Sequence, residues 1–138
     1  MEELFVYALL CAEGIDMWDA YAKTLDKLFM EDIDNDIYFS LEEMELKDSI
    51  LHYISIMYQC EFKIEYFGKI LMQSLQRIYE TMHIELFAKK MYSLWNKLPQ
   101  LICEKEPFFI LAYADDCLSY GDKSQCEKLY EIAMHYYD

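Results

Sequence analysis

The chain has 138 residues, 55% of them hydrophobic and 17% aromatic, with three Gly, two Pro and a formal net charge of −14. That length favours one domain, and the aromatic and aliphatic content excludes a disordered tail. So negative a chain repels phosphate and anionic lipid, which argues against nucleic-acid and membrane partners and for cationic proteins or metal ions.

Residues 2–13 read as a short helix, apolar nearly all round and therefore buried on most sides. Gly14 suits its C-cap, because Gly takes the left-handed conformation without steric cost. Asp16 then caps a second helix to about Met30, with Trp18, Tyr21, Leu25 and Leu28 at helical spacing on one face. Residues 31–39 read as a loop. Ser40 and Glu43 make a capping box that opens a third helix at Leu41, whose buried stripe is expected at Met44, Leu51, Ile54 and Met57/Tyr58.

Between Leu41 and Leu98 there is no proline and one glycine, Gly68. A single helix of that length, at about 1.5 Å per residue, outruns a small domain, so breaks are expected near Gln59–Lys63 and Thr81–His83. Ile64, Phe67, Leu71, Leu75, Ile78 and Met82 form one apolar stripe; Ile84, Phe87, Met91, Leu94/Trp95 and Leu98 form the next. Pro99 ends that helix. Pro107 suits the first turn of a short buried helix, Phe108 to Ala114. Asp115 to Gly121 reads as a loop, and Asp122 with Gln125 opens a last helix to about Tyr137. Its apolar face is Cys126, Leu129, Tyr130, Ala133 and Tyr136/Tyr137. No period-two strand pattern is sustained and no repeat recurs. The expectation is an all-α, single-domain helical bundle of six or seven helices spanning 1–138.

The charge is uneven. Residues 31–48 hold eight acids and one base, and residues 99–138 eight acids and three bases, while 49–98 hold four acids and six bases. The five cysteines, Cys11, Cys60, Cys103, Cys117 and Cys126, are odd in number and contain no CxxC, so neither a disulfide framework nor a zinc signature follows. The start Met1-Glu2-Glu3 lacks the positive region of a signal peptide, and Leu4 to Ala12 is too short to span a bilayer. Together these read as a cytoplasmic protein with reduced thiols.

Three constellations carry chemistry. Asp32-Ile-Asp34-Asn-Asp36-Ile-Tyr-Phe39-Ser40-Leu-Glu-Glu43 resembles an EF-hand loop, with acids at the first, third, fifth and twelfth positions and Ser40 at the ninth. That resemblance implies Ca²⁺ held by Asp32, Asp34, Asp36 and Glu43. Ile37, however, stands at the sixth position, where the sharp turn uses Gly. The second constellation is an acidic docking surface of Asp32, Asp34, Asp36, Glu42, Glu43 and Glu45, with Tyr38 and Phe39 inside it; complementary charge speeds encounter and aromatics anchor. The third is Asp115-Asp116 with Asp122 on a loop: a carboxylate pair can hold a metal or serve acid–base chemistry, while its plainer reading is turn and cap residues. Tyr113 and Tyr120 flank that pair, which makes Asp115, Asp116 and Tyr120 further candidate contacts for a basic partner. His52, His83 and His135 stand singly, without ligand spacing. There is no nucleophile motif or glycine-rich phosphate loop, so the reading is non-enzymatic and without a cofactor.

The segment Pro107 to Asp138, with YADD followed by SYGD and a short amphipathic helix, resembles the C-terminal part of small bacterial proteins that include immunity proteins of polymorphic and contact-dependent toxin systems. The resemblance implies a cytoplasmic inhibitor of a toxin and transfers no binding residue. The function expected is a binding protein that neutralises a cationic, nuclease-like toxin through its acidic surface. The alternatives are a Ca²⁺-binding helical protein and an inhibitor that mimics nucleic-acid charge.

Overall fold

The first helix, α1 (Glu2–Ala12), is as apolar as any core, and Leu4, Phe5, Val6, Ala8, Leu9 and Leu10 are fully buried. It stops in a Schellman motif. Gly14 sits at φ 77°, its N–H donates to Cys11 O (3.0 Å), and Ile15 N–H donates to Leu10 O (3.1 Å). Only Gly takes that conformation without a Cβ penalty. The computed structural model describes residues 1–59 and 62–138; the expected break at Gln59–Lys63 and the cysteine Cys60 fall partly or wholly outside them. The described residues form nine helices and no strand, so the all-α expectation holds while the helix count exceeds six or seven. The contacts gather the chain into two compact units, Met1–Lys63 and Ile64–Asp138.

In the first unit, α1 packs on α2 (Trp18–Glu31) and α4 (Leu46–Gln59), and α2 packs on α3 (Asp36–Glu43). Tyr21 and Leu25 are the buried part of α2. Tyr21 and Tyr53 share a buried hydroxyl–hydroxyl hydrogen bond of 2.7 Å, which lets a large phenol sit fully inside.

Several expectations fail in this unit. Met17 rather than Asp16 stands at the N-cap of α2, and Trp18 is exposed. Ser40 does not cap a helix. Asn35 does, accepting from Ile37 N–H at 3.0 Å, so α3 begins four residues before Ser40, at Asp36. Asn caps as well as Ser, and this choice puts Asp36 in the first turn, at the positive end of the helix. The chain then turns extended at Met44 (ψ 146°) and restarts as α4, although neither Gly nor Pro marks the break. In one continuous helix Leu41 and Ile50, nine residues apart, would point about 180° from each other. With the break both are buried. The buried face of α4 is accordingly Ser49, Ile50, Tyr53, Ile56 and Met57, and the expected stripe residue Leu51 is 64% exposed.

The second unit begins with α5 (Ile64–Tyr79) and α6 (Ile84–Asn96), which bury Phe67, Leu71, Leu75 and Ile78, and Phe87, Met91 and Leu94, as their periodicity predicts. A four-residue helix, α7 (Gln100–Cys103), follows Pro99. Helix α8 (Phe108–Ser119) packs on α6, α7 and α9 (Lys123–Met134), and α9 also packs on α5. Phe87 and Tyr130 meet edge to face at 4.8 Å between ring centres.

Here too a loop proves to be a helix. Asp115 and Asp116 lie inside α8, which runs on until Gly121 (φ 87°) closes a second Schellman motif, Gly121 N–H to Leu118 O and Asp122 N–H to Cys117 O. Nothing in ADDCLS breaks a helix; the first residue that does is the glycine. Asp122 caps α9 as expected, accepting from Gln125 N–H at 3.0 Å. The buried face of α9 is Cys126, Tyr130, Ala133 and Met134, whereas Tyr136 is exposed.

Candidate functional site

The acidic stretch of the first unit runs from the end of α2, over the turn 32–35, along α3 and into α4. Its turn is held by its own side chains. Asn35 Nδ2 donates to Asp32 Oδ2 at 3.3 Å, and Asn35 N–H donates to Asp32 O at 3.1 Å. All eight acids, Glu31, Asp32, Asp34, Asp36, Glu42, Glu43, Glu45 and Asp48, are exposed. None of them forms an ion pair among the described residues. Tyr38 lies within reach of this charge. Its half-buried hydroxyl is pushed above the usual tyrosine range by burial first, then by Asp32, Glu2 and Glu31. Glu2 on α1 thus lies close to Tyr38, with its Oε2 buried and without a hydrogen-bond partner, a placement that nothing in its local sequence announces.

The surface is not uniformly polar. Ile33 in the turn is 62% exposed and Phe39 on α3 is 54% exposed, both inside the acidic stretch. Phe39, like Tyr38, is an aromatic inside the acid run; Ile33 is a further apolar residue there, and its place in a turn between Asp32 and Asp34 is itself a signal. Apolar residues encircled by charge are the pattern of a protein interface, with a dry centre and a wet rim.

The EF-hand reading fails on geometry. Such a loop needs irregular backbone from its fifth position to its ninth, and here that span is the helix α3. Asp32, Asp34, Asp36 and Glu43 do not converge: among the described residues no three His, Cys, Asp or Glu side chains are placed to hold a metal ion.

Asp115, Asp116 and Tyr120 belong to the second unit. Asp116 and Tyr120 are exposed and Asp115 half-buried. Burial, then the neighbouring Asp116, raises the Asp115 carboxyl above its ordinary value. The same unit has an open cavity of about 650 Å³ walled by Glu65, Phe108, Tyr136 and Tyr137, and a smaller one of about 300 Å³ beside His83. The cysteine thiols at Cys11 and Cys126 are pushed up chiefly by burial, Cys126 to about 11, the opposite of what a nucleophile needs. His135 is exposed and bonded to Asp138, with Glu131 on its other nitrogen, which raises its affinity for a proton. His52 Nε2 is buried without a hydrogen-bond partner.

Among the described residues no helix is long and apolar enough to cross a membrane. Comparison with known family models, curated proteins and solved structures finds no match for this chain.

Proposed function

We propose that this chain is a non-enzymatic binding protein that neutralises a cationic protein by covering it with the acidic α2–α3 corner. The observation that carries the proposal is the set of eight exposed, unpaired carboxylates between Glu31 and Asp48. The turn uses Asp32 and the start of α3 uses Asp36, but eight like charges held together also repel one another; a partner rich in Lys and Arg turns that charge into steering and register. Ile33 and Phe39 supply the apolar contact that a charge-only mimic of nucleic acid has no use for. The resemblance of Pro107–Asp138 to immunity proteins points to a toxin, nuclease-like because its own ligand is anionic, as the cationic partner.

Affinity capture from the source lysate tests this, with the wild-type chain and with a variant in which Asp32, Asp34, Asp36, Glu42, Glu43 and Glu45 become amides. The expected result is a basic protein retained by the wild type at low salt, released at high salt and absent from the variant. A partner held equally well by the variant, or no basic partner at low salt, overturns the proposal.

A further inference from the structure

Helix α8 has two faces of opposite character. Phe108, Ile110, Leu111 and Ala114 are buried, and the helix packs on α6, α7 and α9. On the other side stand Phe109, Tyr113, Asp116 and, at the C-cap, Tyr120. At 3.6 residues per turn these four fall within a wedge of about 60°. Tyr113 is 52% exposed and Tyr120 is 90% exposed. Asp116 lies three residues after one tyrosine and four before the other, so at helical spacing the carboxylate falls on the surface between the two tyrosine positions.

The local electrostatics run against the fold. Helix α8 contains no basic residue, and neither Asp115 nor Asp116 is in an ion pair among the described residues. Both stand toward the C-terminal end of the helix, where the carbonyl dipoles already favour cations and disfavour acids. The Asp115 carboxyl is raised by its burial first and then by the adjacent Asp116. Places where a sequence breaks local rules are where function is to be sought.

The chemistry selects the cation. An ammonium answers the charge alone. A guanidinium pairs its planar fork with a carboxylate and stacks its face on an aromatic ring, so it uses all three side chains at once. A phosphate-bearing ligand is repelled, and a neutral apolar helix leaves Asp116 unpaired. We propose that the outward face of α8, Tyr113, Asp116 and Tyr120, is a docking stripe for an arginine-bearing segment of a protein. This rests on the reading of the chain as a binder of a cationic protein, and it names the side chain that this second surface selects.

The test is a nuclear magnetic resonance titration of the full chain with oligo-arginine and oligo-lysine peptides of equal length. At the amides around Tyr113 and Tyr120, oligo-arginine is expected to bind about two- to five-fold more tightly, the size of an exposed cation–π contact. Tyr113→Ala with Tyr120→Ala erases that preference, and Asp116→Asn weakens both peptides there. Equal affinities of the two peptides at α8 overturn the stripe while leaving cation binding at α3 in place. Failure of both peptides to bind anywhere at low salt removes the cation-binding reading and the stripe with it.

Discussion

Gly68 is an interior residue of α5, and the reason it is glycine lies in the last turn of the chain. A Cβ built on it falls 2.7 Å from Tyr137 Cζ and 2.9 Å from Cε2, and closer still to the hydroxyl. Ala at this position brings two opposed effects. It favours the helix by about 1 kcal/mol, the usual interval between Gly and Ala in a helix interior. It also drives the Tyr137 ring from its half-buried seat, which sacrifices about 1–2 kcal/mol of apolar burial. Gly68→Ala in the intact chain is therefore expected to be neutral to destabilising by about 1 kcal/mol. In a Tyr137→Ala background, with no ring to displace, the same substitution stabilises by about 1 kcal/mol. Urea unfolding of the four chains of this double-mutant cycle gives a coupling of about 1–2 kcal/mol. Coupling below about 0.3 kcal/mol, the scatter of independent sites, refutes the contact. Gly121 is the contrast: a Cβ there meets nothing within 4 Å, so its constraint is the backbone φ of +87° alone.

Two further predictions follow from charge. Glu42 and Glu43 end the eight-residue helix α3, where the dipole disfavours acids. Converting both to Gln is expected to stabilise the first unit by roughly 0.5–2 kcal/mol at low salt and by less at high salt, while weakening capture of a basic partner; a loss of stability in denaturant titrations means the carboxylates serve the fold instead. Tyr137 has its hydroxyl pushed from 10.0 up to about 12, by burial first and then by Tyr136 and Glu65. The unfolded chain ionises it from pH 10.0, so its contribution to stability is complete below that pH and lost as pH rises toward 12. Burial raises Tyr53 and Tyr130 further still, so they add to the same alkaline loss. Tyr137→Phe gives a shallower fall of urea midpoint with pH across this window; an unchanged slope contradicts the assignment.

The elements that were legible are those set by neighbours in the chain. Gly14 after an apolar run, Asp122 three residues before Gln125, and the three- and four-residue steps of α5 and α6 each specify structure within a turn or two, and each is found as read. The misreadings came where two local solutions compete. Asn35 and Ser40 are both good caps, and Asp115-Asp116 suits a turn as well as a helix. The acidic turn looked like a metal loop because alternating carboxylates serve a helix entry and a Ca²⁺ site equally well in one dimension.

The amino-acid order by itself determined an all-helical chain with a large core and a surplus of carboxylates concentrated in residues 31–48, because helical period, caps and charge are local quantities. Only the tertiary structure decided that the chain breaks at Met44, that Ile50 rather than Leu51 turns inward, and that Glu2 reaches Tyr38 from another helix. Those outcomes depend on which faces bury together, and burial compares surfaces far apart in sequence. The exposure of the eight acids belongs to the same class: a composition counts charges, and packing alone determines which of them are left facing water.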